Sequence, residues 1–460
     1  MSPNTPLDII ILAAGKGTRM RSGLPKVLQT LAGRPLLAHT LSTVQALEPR
    51  NIIIIVGHEA EQVQAAFPEK HYRFAMQIEQ LGTGHAVQQA LPQLPTDGRS
   101  LILYADVPLI TLNTLEKLIT TTPADAIGIL TATPENPFGL GRIVRDKQNE
   151  FREIIEEADT TDTQKLINET NAGIYVFPNS VLHTYLPQLD NNNAQQEYYL
   201  PPIIKLARAT QTPIVTCTTL NAAEVFGIND RQQLMQAERL LQKRFAKELM
   251  KSGVTIVDAA RLDIRGMVAA EQDVTLDINV ICAGEVTIRA NSYIGPNTFL
   301  KDVQLGKNVT IKSNCVLEGV IVADNCTIGP FANIRPGTVL DNDVKVGNFV
   351  ELKKTHFGAG SKVNHLSYIG DAIVGKEVNI GAGTITCNYN GVDKNVTTIG
   401  DEAFIGSNTA LVAPVTIGEN AVIGAGSVIT KDAPAGQLTL TRSEQKNLGR
   451  WKRPVKKEKS

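Results

Sequence analysis

Long apolar runs are missing from this chain: no stretch of 18 residues is continuously apolar, which excludes a membrane-spanning helix. No basic-then-apolar signal precedes the first apolar run, so export is not expected and a cytoplasmic location is. Neither charge sign dominates. With 45 basic against 46 acidic residues, no global field recruits nucleic acid or a membrane surface. Cysteine is scarce too: Cys217, Cys282, Cys315, Cys326 and Cys387 are odd in number and scattered, with no C-x-x-C pair. That excludes a disulfide framework and a Cys/His zinc site, and the five read as reduced thiols.

What is present is length and two contrasting patterns. A chain of 460 residues is long enough for two or three domains, each with its own core. Up to about Asn229, short apolar runs (Asp8–Leu12, Ile52–Val56, Leu101–Tyr104, Ala126–Leu130) alternate with helix-length segments. This is the pattern of a mostly parallel sheet buried on both faces, a Rossmann-like α/β domain spanning 1–229. Ligands of such sheets bind beyond the carboxyl ends of the strands, so residues just after each run carry the functional weight. Residues 230–252 read as a helical linker, with Asp230 as N-cap, Leu234, Leu241, Phe245 and Leu249 on one side, and a stop at Gly253.

In the remaining segment, 253–460, an aliphatic residue recurs every six positions from about Leu262 onward. The runs include Ile288-Ile294-Leu300, Val322 through Leu352, and Ile399 through Ile429. Such a period predicts a parallel β-helix with the aliphatic residue pointing inward. A basic cluster (Arg450, Lys452, Arg453, Lys456, Lys457, Lys459) closes the chain. It reads either as a solvated tail or as a segment reaching an anionic ligand on a neighbouring subunit.

Directly after the first apolar run comes Leu12-Ala13-Ala14-Gly15-Lys16-Gly17-Thr18-Arg19-Met20, then Pro25-Lys26. A glycine-rich turn there can aim backbone N–H groups at a phosphate. The loop lacks the third glycine of a dinucleotide fingerprint and the G-K-[ST] ending of a P-loop. With Arg19 and Lys26 it resembles instead the signature of sugar-1-phosphate nucleotidyltransferases. That resemblance implies that Arg19 and Lys26 neutralise charge at the reacting phosphates. It implies that Leu12, Ala13, Ala14, Gly15, Gln77, Gln80, Gly82, Thr83, Tyr104 and Ala105 bind UTP, with Gln77 and Gln80 in the uracil-reading segment. Asp106, after the run Leu101–Tyr104, and Asn229 would hold Mg²⁺, which favours a few protein oxygens plus substrate phosphates. Gly141, Glu156, Asn171 and Tyr199 would meet the sugar. Ala105 and Ala172 depart from the Gly and Thr more usual in the family, and Glu157 reads as a solvated neighbour of Glu156.

In the solenoid, Arg335 and Lys353 follow the inward residues Ile334 and Leu352, 18 positions apart. Stacked at strand spacing, roughly 4.8 Å, they repel unless water screens them or an anion bridges them. His365 lies two residues past the inward Val363, near a corner, and suits proton removal from an attacking amine. His356, near a slip of phase, lacks such company. Asn388-Tyr389 opens a stretch that breaks the rhythm, as a binding loop would. Over its whole length the chain resembles the bacterial bifunctional N-acetylglucosamine-1-phosphate uridylyltransferase / glucosamine-1-phosphate N-acetyltransferase family. The β-helix would then be left-handed and the protein a homotrimer with shared acyl sites. The resemblance implies His365 as base, and Arg335, Lys353, Tyr368 and Asn379 on the sugar phosphate. Asn388 and Tyr389 fall at the sugar–thioester junction, and Ala382, Ser407, Ala425 and Arg442 along the acetyl-CoA path. Two alternatives remain: a single-function nucleotidyltransferase with a structural β-helix, and a non-catalytic subunit of the same architecture.

Overall fold

The computed structural model describes residues 5–193 and 195–454; Lys456, Lys457 and Lys459 of the basic cluster lie outside them. The chain forms two compact units that part between Leu241 and Gln242, inside the helix Arg231–Lys251. Asp230 caps that helix, its Oδ1 accepting from the Gln233 N–H at 2.8 Å, and Gly253 beyond it adopts a φ of +93°.

The first unit is built on nine strands: β1 (Leu7–Leu12), β2 (Asn51–Val56), β3 (Tyr72–Met76), β4 (Arg99–Tyr104), β5 (Ile127–Ala132), β6 (Arg142–Arg145), β7 (Phe151–Ile155), β8 (Thr170–Pro178) and β9 (Ile214–Thr218). The main order is β9-β5-β8-β4-β1-β2-β3, parallel throughout except for β8. Ile9, Ile10, Ile11, Ile53, Ile54 and Ile55 are fully buried because helices cover both faces, which is why these strands are continuously apolar. The antiparallel β8 was not foreseen. It carries Asn171 and Gly173 back across the sheet, while the β6–β7 hairpin brings Gly141 beside Glu156.

The second unit is a parallel β-helix. Among the described residues its short strands pair with parallel neighbours, and most coils advance by 17 or 18 residues, as in Ile334↔Leu352 and Leu352↔Ile369, while the coil that holds the out-of-phase stretch is longer, as in Ile380↔Ile405. The six-residue phase is the inward column: Ile294, Ile311, Ile328, Val346, Val363, Ile380, Ile405 and Ile423 are each at most 3% exposed. One row of corners turns through left-handed backbone, which Asn297, Asn314, Gly383, Asn408 and Gly426 accept readily. Phe331, Phe349 and Leu366 take the same conformation in the coils between them, and the two rings stack at 5.2 Å. All five cysteines are free, four of them buried. No helix among the described residues is long and apolar enough to cross a membrane.

Candidate active sites

The glycine loop leaves β1 at its carboxyl end. Gly17 has a φ of +59°, and a side chain there would meet the Lys26 Cβ at 2.7 Å, so the glycine brings loop and lysine together. The Lys26 ammonium is in a short contact with Asp106 Oδ2 and donates to Asn229 Oδ1 at 3.1 Å. Asp106 follows β4, and its carbonyl accepts from the Ile228 N–H at 2.9 Å, which holds Asn229 alongside. A cleft of about 250 Å³ opens here. Its lining includes Leu12, Ala13, Ala14, Gly15, Lys26, Gln77, Gln80, Gly82, Thr83, Tyr104 and Asp106. Val27, Ala86 and Glu197 also line it. Glu197 escaped the sequence reading although it adjoins the Tyr198-Tyr199 pair.

Four expected residues take other places. Ala105 is fully buried in the core, its N–H donating to the Leu12 carbonyl at 3.0 Å, so its methyl does not narrow the cleft. Ala172 likewise packs against that core. Arg19 is exposed on the turn Thr18–Met20, away from the cleft lining. Glu157 is no solvated bystander: it pairs at 2.7 Å with Arg142, which is 2% exposed.

Glu156 and Tyr199 line a neighbouring cleft of about 230 Å³. A side chain at Gly141 would sit 3.3 Å from Glu156 Oε2, and the Asn171 N–H donates to the Gly141 carbonyl at 2.8 Å. Asn171 Nδ2 donates to the Tyr175 hydroxyl at 2.6 Å. Burial, with Asp159 nearby, pushes the Glu156 carboxyl above its ordinary range. Tyr104 feels both Asp106 and Glu156; burial first and these charges second drive its hydroxyl upward, so it stays neutral between the two groups of residues.

On the β-helix, Arg335 and Lys353 each have a carboxylate partner. Arg335 Nη1 pairs with Glu351 at 2.9 Å, and Lys353 with Asp371 at 3.3 Å. Asn388, 7% exposed, donates to Asp371 in a short contact and to the Tyr368 hydroxyl at 3.3 Å. Gly370 leaves room for that hydroxyl, since a side chain there would lie 2.4 Å from it. The out-of-phase stretch returns through a Tyr389↔Lys394 bridge. It thereby brings in Lys394, a cation the sequence reading missed. Lys394 lies close to Lys353, and this mutual influence, with Asp371 beside Lys353, holds the first amine above and the second below the usual lysine range.

His365 is exposed, and its Nδ1 lies 3.0 Å from Asn348 Oδ1. An amide oxygen accepts, so Nδ1 carries the proton and Nε2 presents its lone pair. His356 is bonded to Asp341 at 3.0 Å on the surface. Asn379 stands in the adjoining ladder, in register with Lys362 and Phe404. The Tyr389 hydroxyl turns back onto the Gly391 carbonyl at 2.6 Å. Ala382, Ser407 and Ala425 form one column, coil above coil, and the Arg442 guanidinium lies 3.6 Å from where a side chain at Gly424 would begin.

The MobA-like NTP transferase domain family matches residues 9–171, the GMPPB C-terminal domain residues 264–356, and the bacterial transferase hexapeptide (six repeats) residues 397–431. The β-helix is thus the left-handed hexapeptide-repeat form. The bifunctional protein GlmU of Acinetobacter baumannii (strain ACICU) is 51% identical over 97% of this chain and 98% of its own length. Its counterpart in Marinobacter nauticus is 47% identical over 98% and 100%. The one in Legionella pneumophila subsp. pneumophila (strain Philadelphia 1) is 50% identical over 98% and 99%. At such identity over both units, the chain belongs to the bifunctional GlmU family.

Proposed function

We propose that the chain makes UDP-N-acetylglucosamine in two steps. Its β-helix moves the acetyl group of acetyl-CoA to glucosamine-1-phosphate, and its first unit couples the product to UTP with release of pyrophosphate. What supports this most is that two separate sets of residues, each suited to one reaction, close up in space within one chain.

For acetyl transfer, the amine nitrogen attacks the thioester carbonyl, and the C–S bond breaks as coenzyme A leaves as thiolate. The unprotonated Nε2 of His365 takes the proton that the amine sheds, and Asn348 fixes the ring for that task. Arg335, Lys353, Tyr368 and Lys394 are read as the sugar-phosphate cradle, with Asn379 on its rim. Asp371 holds Lys353 and Asn388 in place for it. Asn388 and Tyr389 are assigned to the junction, and the column Ala382, Ser407 and Ala425 with Arg442 to the coenzyme. Small side chains there leave room for a pantetheine arm, and Arg442 suits its phosphates. We assign the coenzyme site to an interface between copies of a homotrimer in the cytoplasm.

For uridylyl transfer, a phosphate oxygen of the sugar phosphate attacks the α-phosphorus of UTP and the bond to the β-phosphate breaks. Backbone N–H groups of the glycine loop position the triphosphate, Lys26 offsets charge developing at the α-phosphate, and Arg19, on the exposed turn after the loop, is assigned to the same charge. Glu156, Asn171, Gly141 and Tyr199 receive the sugar. Asp106 and Asn229 fit Mg²⁺ because their oxygens already converge on one cation, the Lys26 ammonium. When bound, the metal neutralises charge on the triphosphate.

Intact protein incubated with glucosamine-1-phosphate, acetyl-CoA, UTP and Mg²⁺ tests the reading, with products identified by mass. UDP-N-acetylglucosamine, coenzyme A and pyrophosphate are expected. His365→Ala should slow coenzyme A release by roughly 10²- to 10⁴-fold and leave uridylyl transfer intact. No coenzyme A release from wild-type protein would leave only a nucleotidyltransferase with a structural β-helix.

A further inference from the structure

The nucleotide cleft reads its ligand through amides whose direction is set by the protein around them. Gln77 follows β3, is 4% exposed, and anchors its own N–H on the Val56 carbonyl at 2.8 Å. Its side-chain Nε2 lies 3.1 Å from the Gly82 carbonyl oxygen. A carbonyl can only accept, so this contact decides which end of the amide is nitrogen. The other hydrogen of the same Nε2 points to Nδ1 of His85, also at 3.1 Å. Nδ1 therefore offers a lone pair, and the ring proton sits on its Nε2. Both amide hydrogens are spent inside the protein. Among the described residues nothing donates to Gln77 Oε1, which leaves it as an acceptor in the cleft wall.

The surroundings hold this arrangement. His85 lies on the short helix Thr83–Gln88, its ring 6.3 Å from that of Tyr198. The Tyr198 carbonyl accepts from the Gly84 N–H, and the Tyr198 N–H donates to the Leu81 carbonyl, each at 2.7 Å. Gln80 folds its own Nε2 onto the Gln77 carbonyl at 3.2 Å and so offers no competing donor. The Gly82 N–H, by contrast, has no acceptor among the described residues.

We propose that His85 is a specificity-determining positioning residue: it locks Gln77 so that an amide oxygen, not an amide NH₂, faces the pyrimidine edge. The inference rests on the uridylyl-transfer reading and deepens it. A base with an N–H at ring position three, uracil or thymine, satisfies that oxygen. Cytosine carries a lone pair there, and two facing acceptors leave the buried Gln77 oxygen unpaired, a loss that discriminates strongly. The cytosine amino group lies one atom further along the edge. Reaching it would slide the ring relative to phosphates that the glycine loop holds. Without His85 only the Gly82 contact orients the amide, and it can swing.

Three variants test this: His85→Leu, His85→Gln and His85→Asn. An Asn carbonyl reaches roughly the place of Nδ1, whereas that of Gln lies one carbon further out. Pyrophosphate release is measured with UTP and with CTP at saturating N-acetylglucosamine-1-phosphate and Mg²⁺, along with KM for the sugar phosphate. His85→Leu and His85→Gln should raise KM for UTP by about tenfold and lower the UTP-to-CTP ratio of kcat/KM by at least about as much. KM for the sugar phosphate should not move, and His85→Asn should restore most of the selectivity. A UTP-to-CTP ratio that stays at the wild-type value in both His85→Leu and His85→Gln overturns the proposal, even where overall activity drops. So does His85→Asn as unselective as His85→Gln, a comparison that decides the matter if the Leu variant does not fold. Wild-type protein that releases no pyrophosphate from UTP would instead sink the uridylyl reading itself.

Discussion

Lys26 does in the free protein what a metal and a triphosphate would do between them: it supplies positive charge to Asp106 and Asn229. Substrate phosphates would draw the ammonium away as Mg²⁺ takes those oxygens, so metal and nucleotide should bind together better than either binds alone. Lys26→Met should therefore cut uridylyl transfer by roughly 10²-fold or more through loss of transition-state charge. The same variant, free of nucleotide, should bind Mg²⁺ more tightly than wild type in calorimetry. Equal or weaker metal binding would mean the ammonium does not compete for the site. Glu156 gives a second prediction at this scale. Burial first and Asp159 second raise its carboxyl, so the folded protein prefers the proton, and stability falls as pH rises from the ordinary carboxyl value through the raised one. Glu156→Gln should accordingly unfold at a higher temperature than wild type at pH 8, with the difference vanishing near pH 4. Its KM for the sugar phosphate should rise.

Among elements, the start of β1 shows the opposite sign. Asp8 is fully buried, and burial alone would raise its carboxyl. Hydrogen bonds from Arg50, Asn179 and Asn51 outweigh that and hold it below its ordinary value. Its contribution is present at neutral pH and is lost as pH falls through the lowered value. Asp8→Ala should cost about 3 to 5 kcal/mol in urea unfolding at pH 7, because three partners, the adjacent Arg50 and Asn51 and the distant Asn179, lose their acceptor. The deficit should shrink towards pH 3. None of this network was legible from sequence, since Asp8 and Asn179 are distant in the chain and meet only once β8 has turned back antiparallel. The repeat was legible for the converse reason: each inward residue is fixed by neighbours one coil away, so a local period carries the whole tertiary contact. Arg335 and Lys353 mark the boundary between the two cases. Their phase could be read, whereas Glu351 and Asp371 as their partners could not, and Lys394 arrives through a loop that has no phase. In the first unit, glycine and charge announced the loop, but which way Ala105 or Arg19 points depends on packing that no motif encodes.

At the scale of the molecule, the two units keep separate cores. The buried members of the β-helix cluster begin at Ala246 and those of the sheet clusters end at Cys217, with Phe245 and Val225 as partly buried neighbours of the first and the second. Stability in the β-helix is held between neighbouring coils, so damage to one coil should spread along the solenoid without entering the sheet. Leu352 is fully buried at the coil that carries Lys353, in register with Ile334 and Ile369. Leu352→Ala removes packing on both sides and should cost about 2 to 5 kcal/mol. Calorimetry should then show one transition moved down and another unmoved. Coenzyme A release should fail at a temperature where pyrophosphate release continues at the wild-type rate. A single transition shifting as a whole, with both activities lost together, would mean that the units fold as one cooperative body despite their separate cores. The two-transition outcome is the one the packing supports, because no buried apolar residue of the solenoid belongs to the cores that position Lys26 and Asp106.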